Sequence, residues 1–185
     1  MMRRLLLTIL LTTAALGIRA QLLAVSTELT SDVMLAPSLG LELVTANHST
    51  LSLNAVYGER ILGKNNRVVA LQPEYRYYFS GRTISKWFVG VGAIGTSYEI
   101  HTRGKVYDGY AAGVGLTFGY VWNLTKRLSL DFHSGFGGVF YKRKEYFEQD
   151  NYDTDYLEDG YQRTNAKGYY LMPTRIGISI SYIIK

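Results

Sequence analysis

Residues 175–185 read RIGISISYIIK. On an extended strand Ile176, Ile178, Ile180, Tyr182 and Ile184 share one side, and Arg175, Gly177, Ser179 and Ser181 share the other. Side chains alternate across a strand with period two, so this stretch has one apolar face and one polar or small face. Residues 109–122, GYAAGVGLTFGYVW, repeat the rule: Tyr110, Ala112, Val114, Leu116, Phe118, Tyr120 and Trp122 oppose Ala111, Gly113, Gly115, Thr117 and Gly119.

Eight stretches follow this pattern: about 23–29, 38–45, 50–57, 67–79, 86–100, 109–122, 128–141 and 175–185. Pro73 interrupts the fourth; proline cannot donate to a ladder, which predicts a bulge or a locally open pair. In the fifth, the apolar side changes parity near Gly92 to Gly95, which predicts a second bulge. Residues 30–37 fit a loop, a short helical turn or a bulge. Connections alternate in length: 47–48, 81–85 and 123–127 are short, whereas 58–66, 102–108 and 142–167 are longer. The expected fold is an all-β, eight-stranded antiparallel up-and-down transmembrane β-barrel with short periplasmic turns and longer extracellular loops.

The side facing lipid follows from bulk. One face of 109–122 is aromatic and branched, and the other is glycine, alanine and threonine. Bulky residues outside and small ones inside suit a narrow lumen better than a soluble barrel with an apolar interior. Tyr77, Phe79, Trp87, Tyr120, Trp122 and Tyr182 lie near the short-turn ends; Tyr57, Tyr98, Tyr110, Phe140, Tyr169 and Tyr170 lie near the long-loop ends. Two such groups match the aromatic belts of a membrane barrel.

Composition agrees. The 185 residues contain 19 glycines, 16 tyrosines and only three prolines. Mean hydropathy is −0.03, and no apolar run beyond the N-terminus reaches the ~18 residues of a spanning helix. Residues 1–20, with Arg3 and Arg4 before an apolar Leu5-to-Leu16 core, have the plan of a signal peptide ending near Ala20. The expected domain is then 21–185, located in the cell outer membrane. Without Arg3, Arg4 and Arg19 the formal charge falls from +5 to +2, and export with no basic stripe argues against nucleic acid. The absence of cysteine excludes disulfides, thiolate metal sites and lipoprotein anchoring.

The inward face would carry Glu28, Glu42, Asn54, Gln72, Glu74, Arg76, Asp131, His133 and Arg175. An eight-stranded barrel is just wide enough to be filled by side chains. Buried charges persist only when paired, so Arg76 and Arg175 are expected to neutralise carboxylates among Glu42, Glu74 and Asp131. The expected function is structural or surface-interacting, with a plugged lumen. The alternatives are a lipid-modifying enzyme and a narrow pore. Catalytic residues are not evident. Ser134 points away from His133, and Asp131 and His133 share a face about 7 Å apart without a nucleophile. His48 and His101 offer no metal-ligand spacing, and the glycines near Val114 lack the strand–loop–helix setting of a phosphate cradle.

The last loop, 142–167, is acidic and tyrosine-rich. Tyr146, Asp150, Tyr152, Asp153, Asp155 and Tyr156 are its candidate interaction residues, for an extracellular protein or glycan partner. Calcium is conceivable there, but Asp153-Thr154-Asp155 lacks the glycine and spaced glutamate of an EF-hand loop, so no cofactor is expected. Lys142-Arg143-Lys144 is placed to pair with lipopolysaccharide phosphates. Outer-membrane lipid is the expected surrounding, and a monomer the expected state.

Four elements carry a resemblance: 37–42 (PSLGLE), 71–77 (LQPEYRY), 112–122 (AGVGLTFGYVW) and 173–175 (PTR). With them the chain resembles a Bacteroidetes family of small outer-membrane barrels, a domain of unknown function, similar in plan to OmpA/OmpX-type barrels. The resemblance implies the fold and supplies no catalytic residue. Many members of that family carry a cysteine pair in the last loop; this chain has none.

Overall fold

The computed structural model describes residues 22–61, 66–149, 157–158, 161–162 and 166–184. Eight antiparallel strands close into a barrel. They are β1 (Leu23–Glu28), β2 (Ser38–Ala46), β3 (Ser49–Gly58), β4 (Arg67–Tyr78), β5 (Lys86–Thr102), β6 (Lys105–Asn123), β7 (Leu128–Phe147) and β10 (Ala166–Ile183). A separate two-stranded hairpin joins β8 (Leu157–Glu158) to β9 (Tyr161–Gln162). Around the ring the order is β1-β10-β7-β6-β5-β4-β3-β2. From β1 to β7 each strand pairs with its sequence neighbour, β10 pairs with β7, and β10 closes on β1 through Ala24↔Ile183 to Glu28↔Ser179. Closure satisfies both edges where they meet. The short helix α1 (Leu29–Val33) fills the 30–37 stretch. No helix among the described residues is long and apolar enough to cross a membrane.

The strands run further than periodicity suggests. Residues 102–108 form no long loop: Thr102 pairs with Lys105 across Arg103-Gly104, both with positive φ (53° and 74°). That is the backbone of a tight two-residue hairpin. β7 continues to Phe147 and β10 starts at Ala166, so 142–147 are strand rather than loop. The basic run therefore splits. Arg143 lines the interior, and Lys142, its neighbour on an alternating strand, points outward. Tyr146 lies in β7 opposite Val106. Asp150, Tyr152, Asp153, Asp155 and Tyr156 fall outside the described residues.

The expected bulge near Gly92–Gly95 is absent. Leu71↔Gly95 and Glu74↔Gly92 share one register, and only the pairs at Gln72 and Pro73 are open. The apolar residues of β5 change sides because its content changes, not its parity. Trp87, Val89 and Val91 are exposed outward, whereas Ile94, Tyr98 and Ile100 line the interior. Register shifts occur instead in β10 between Pro173 and Arg175 and in β2 between Val44 and Ala46.

The interior has three layers. At the end holding both termini, Ala24, Tyr78, Ile84, Phe88 and Val121 form a small apolar core. Above it lies a layer of buried charges, and above that a cavity. Outside, Leu41, Leu53, Leu71, Val91, Leu116, Phe136 and Ile176 are 47–69 % exposed around the ring. The inner faces of β6 and β7 approach closely at Gly115↔Gly137. A Cβ on Gly137 would collide with the Val114 carbonyl and the Gly115 Cα, whereas one on Gly138, facing out, would meet nothing within 4 Å. Gly137→Ala should therefore lower folding stability by about 1–3 kcal/mol, an overpacking cost, with Gly138→Ala close to neutral. Urea titration of the purified protein, read by the electrophoretic shift of the folded form, compares the two.

Candidate functional site

The middle layer is built by strand parity. Glu42 on β2, Glu74 and Arg76 on β4, and Asp131 and His133 on β7 all point inward and are at most 5 % exposed. Arg76 is its hub. Its Nη1 donates to Asp131 Oδ2 at 2.6 Å and its Nε to Glu74 Oε2 at 2.9 Å. Glu42 Oε2 stands 3.7 Å from Nη1, and the Phe88 ring lies under the guanidinium, 4.4 Å from its centroid. Arg175 donates from Nη1 to the same Glu74 Oε2 at 2.7 Å and stands 4.0 Å from Glu28 Oε2.

Neutral donors complete the carboxylates. Thr50 and Tyr78 donate to Glu42 Oε1 at 2.6 and 2.9 Å, and Thr117 donates to Glu74 Oε1. Asn54 donates to Glu28 Oε2 at 2.9 Å and reaches Gln72 Oε1 at 3.4 Å. The two ring nitrogens of His133 face carboxylates: Nε2 is 3.1 Å from Glu28 Oε1 and Nδ1 is 3.6 Å from Asp131 Oδ1. Only the Glu28 contact is within hydrogen-bond distance; the Asp131 contact is a longer electrostatic one. Voids within this layer are about 10 Å³ each, roughly one water in size.

All nine residues expected on the inner face thus meet in one layer. Sequence reading missed Thr50, Tyr78, Thr117 and Phe88. The first three were findable by parity: Tyr78 is two residues beyond Arg76, Thr117 lies on the small face of β6, and Thr50 falls opposite Arg76 once β3 and β4 pair. Phe88 was hidden by the misread parity of β5. Chemically the layer is a set of fixed charges. Ser134 lies on the opposite face from Asp131 and His133, and the polar contacts of His133 are to carboxylates. Among the described residues no group of three or more His, Cys, Asp or Glu is arranged to hold a metal ion.

Above the layer is a cavity of about 510 Å³, lined from β5, β6, β7 and β10 by Ile94, Tyr98, Ala111, Val139, Tyr141 and Met172 among others. Tyr141 and Tyr170 stack with centroids 5.1 Å apart. Arg143 stands at its rim over the Tyr107 and Tyr141 rings and is paired to Glu145 at 2.5 Å. A second space of about 390 Å³, lined by α1 and β3–β5, shares Ile94, Thr96, Pro173 and Thr174 with the first.

His101 lies beyond this cavity, near the tip of the β5–β6 hairpin. Its Nε2 is 3.2 Å from Glu99 and its Nδ1 3.3 Å from Glu148. These two carboxylates, Glu99 foremost, raise its pKa above the ordinary 6.5. The raised value means that this link is complete below about pH 6.5 and weakens as pH climbs through the folded-state pKa. An NMR titration should place the His101 midpoint above 6.5, with Glu99→Gln bringing it down.

Four carboxylates face two guanidiniums in the buried layer, so losing a cation and losing an anion differ in cost. Arg76→Ala leaves Glu42 and Asp131 without a guanidinium, Glu74 keeping Arg175, and should destabilise by about 3–5 kcal/mol. Glu42→Gln keeps an acceptor for Thr50 and Tyr78 while removing excess negative charge, and should cost about 1 kcal/mol or less. Denaturant midpoints of the two variants give the comparison.

The model of the family described as "Protein of unknown function (DUF3575)" matches residues 5–184, so the chain belongs to that family. No curated protein and no solved structure matches it.

Proposed function

We propose that this DUF3575 member is an outer-membrane β-barrel whose lumen is shut by the Arg76 layer, and that it acts at the cell surface through its loop end. The observation that carries the reading is inverted polarity. Buried charges fill the middle of the interior, while large apolar side chains stand exposed on all sides. In water so much contiguous apolar surface would drive association; in hydrocarbon it is the favoured exterior, and along Ala24–Glu28 the ring closes on itself, pairing the strand edges there as a membrane requires.

Aromatic residues support the placement of two interfaces. Tyr77, Phe79, Trp87, Trp122 and Tyr182 are exposed near the end with the termini, and Tyr57, Tyr110, Phe140 and Tyr169 near the other. The signal-like residues 1–20 would bring the chain across the inner membrane, leaving the termini periplasmic and the longer connections outside. Lys142, beside the outer belt, is placed to meet lipopolysaccharide phosphates. The small voids of the charged layer support a plug rather than a pore.

Because the chain has no cysteine, single-cysteine variants report topology directly. Gln149→Cys should react with an impermeant maleimide on intact cells, and Lys126→Cys only after lysis. The protein should fractionate with outer membranes, shift in mobility on heating, and give no conductance in planar bilayers. Recovery in the soluble fraction, or equal labelling at both positions, would overturn the reading.

A further inference from the structure

The barrel wall is uneven. β1 pairs with β10 only up to Glu28↔Ser179. β10 continues to Ala166, and above Ser179 its edge has no β1 partner. α1 stands beside it: a Cβ on Gly177 would lie 2.6 Å from Thr30 Oγ1. The cavity reaches this slot, for the space lined by Thr30, Ser31 and Met34 is also lined by Pro173 and Ile176. Ile176 belongs to the outward apolar row and is 63 % exposed. The interior is therefore connected sideways to the outer face.

We infer that the loop-end half of the lumen is a binding site for a single acyl chain with an anionic head, entering laterally between β10 and α1. This rests on the membrane reading above. Four features select that chemistry. The lining of Ile94, Ala111, Val139 and Met172 with tyrosine rings is predominantly apolar, as small-ligand sites are. A volume of about 510 Å³ is within the range of about 300–1,000 Å³ for such sites. The slot is flanked by outward Leu171 and Ile176, 74 % and 63 % exposed, so it lies at the height of the hydrocarbon. An open strand edge is tolerated there only where it faces protein or a cavity. At the rim Arg143 is the cation for a carboxylate or phosphate, in exchange with its Glu145 partner.

A free fatty acid and a lysophospholipid share this chemistry, and both serve as probes. The full chain is reconstituted in phosphatidylethanolamine–phosphatidylglycerol vesicles with diazirine-bearing palmitic acid or diazirine-bearing lysophosphatidylglycerol. It is then irradiated and digested, and the labelled residues are mapped by mass spectrometry. The expected result is labelling at inward positions such as Ile94, Val139 and Met172, besides outward ones such as Leu116 and Phe136. Unlabelled palmitic acid or lysophosphatidylglycerol should compete only at the inward set, and the more effective of the two identifies the source. Ala111→Trp, which fills the cavity, should lower inward labelling by about tenfold, or ~1.4 kcal/mol, and leave outward labelling intact. Met172→Trp on β10 repeats the test if that variant fails to fold. Labelling confined to outward residues would overturn the inference and leave the membrane reading standing. Absence of labelling on either face would overturn both.

Discussion

A single guanidinium, that of Arg76, is surrounded by carboxylates from three strands. Glu42 comes from β2, Glu74 from its own β4, and Asp131 from β7. Removing four groups of this kind from water costs several kcal/mol per ion, and only close, hydrogen-bonded geometry recovers it. The closed wall supplies that geometry by holding the strands in register. In turn the layer fills the middle of the barrel, and Arg175 extends it to β10. Small residues make the room: a Cβ on Gly90 would press on Thr117 and the Tyr75 carbonyl. Wall and plug are thus mutually dependent.

The interior divides where side-chain chemistry changes along the tall strands. β5 illustrates it. Its first half puts Trp87, Val89 and Val91 outside and Phe88 and two glycines inside, and its second half puts isoleucine and tyrosine inside. The backbone keeps one parity throughout. Charge occupies the region that all eight strands enclose. The apolar cavity occupies the region where β1 has ended and α1 takes its place. A network of fixed charges favours a rigid closure, whereas a tyrosine-lined space beside an unpartnered strand edge favours occupancy. The two halves of one lumen therefore suit different tasks.

Family membership adds no activity to this picture, and a barrel fold hosts many functions. The Glu74–Arg76 pair lies in the LQPEYRY element. Pro73 leaves the β4–β5 ladder open beside the charged layer.

Alternation along each strand is a local property, so the eight alternating stretches by themselves determined the strand type, the two faces and the nine polar residues of the inner layer. Turn geometry was less legible. Arg103-Gly104 is a weak hairpin signal beside Asn-Gly or Asp-Gly, and the polar composition of 102–108 and 142–147 concealed continuing strand. Only the tertiary structure decided which charges meet. Arg76 and Asp131 are 55 residues apart, and Arg175 and Glu74 are 101 apart. Their pairing depends on register summed around the ring, which no strand encodes alone. The side opening follows in the same way: β1 stops at Glu28 and β10 does not stop with it, and the mismatch exists only once the two are neighbours.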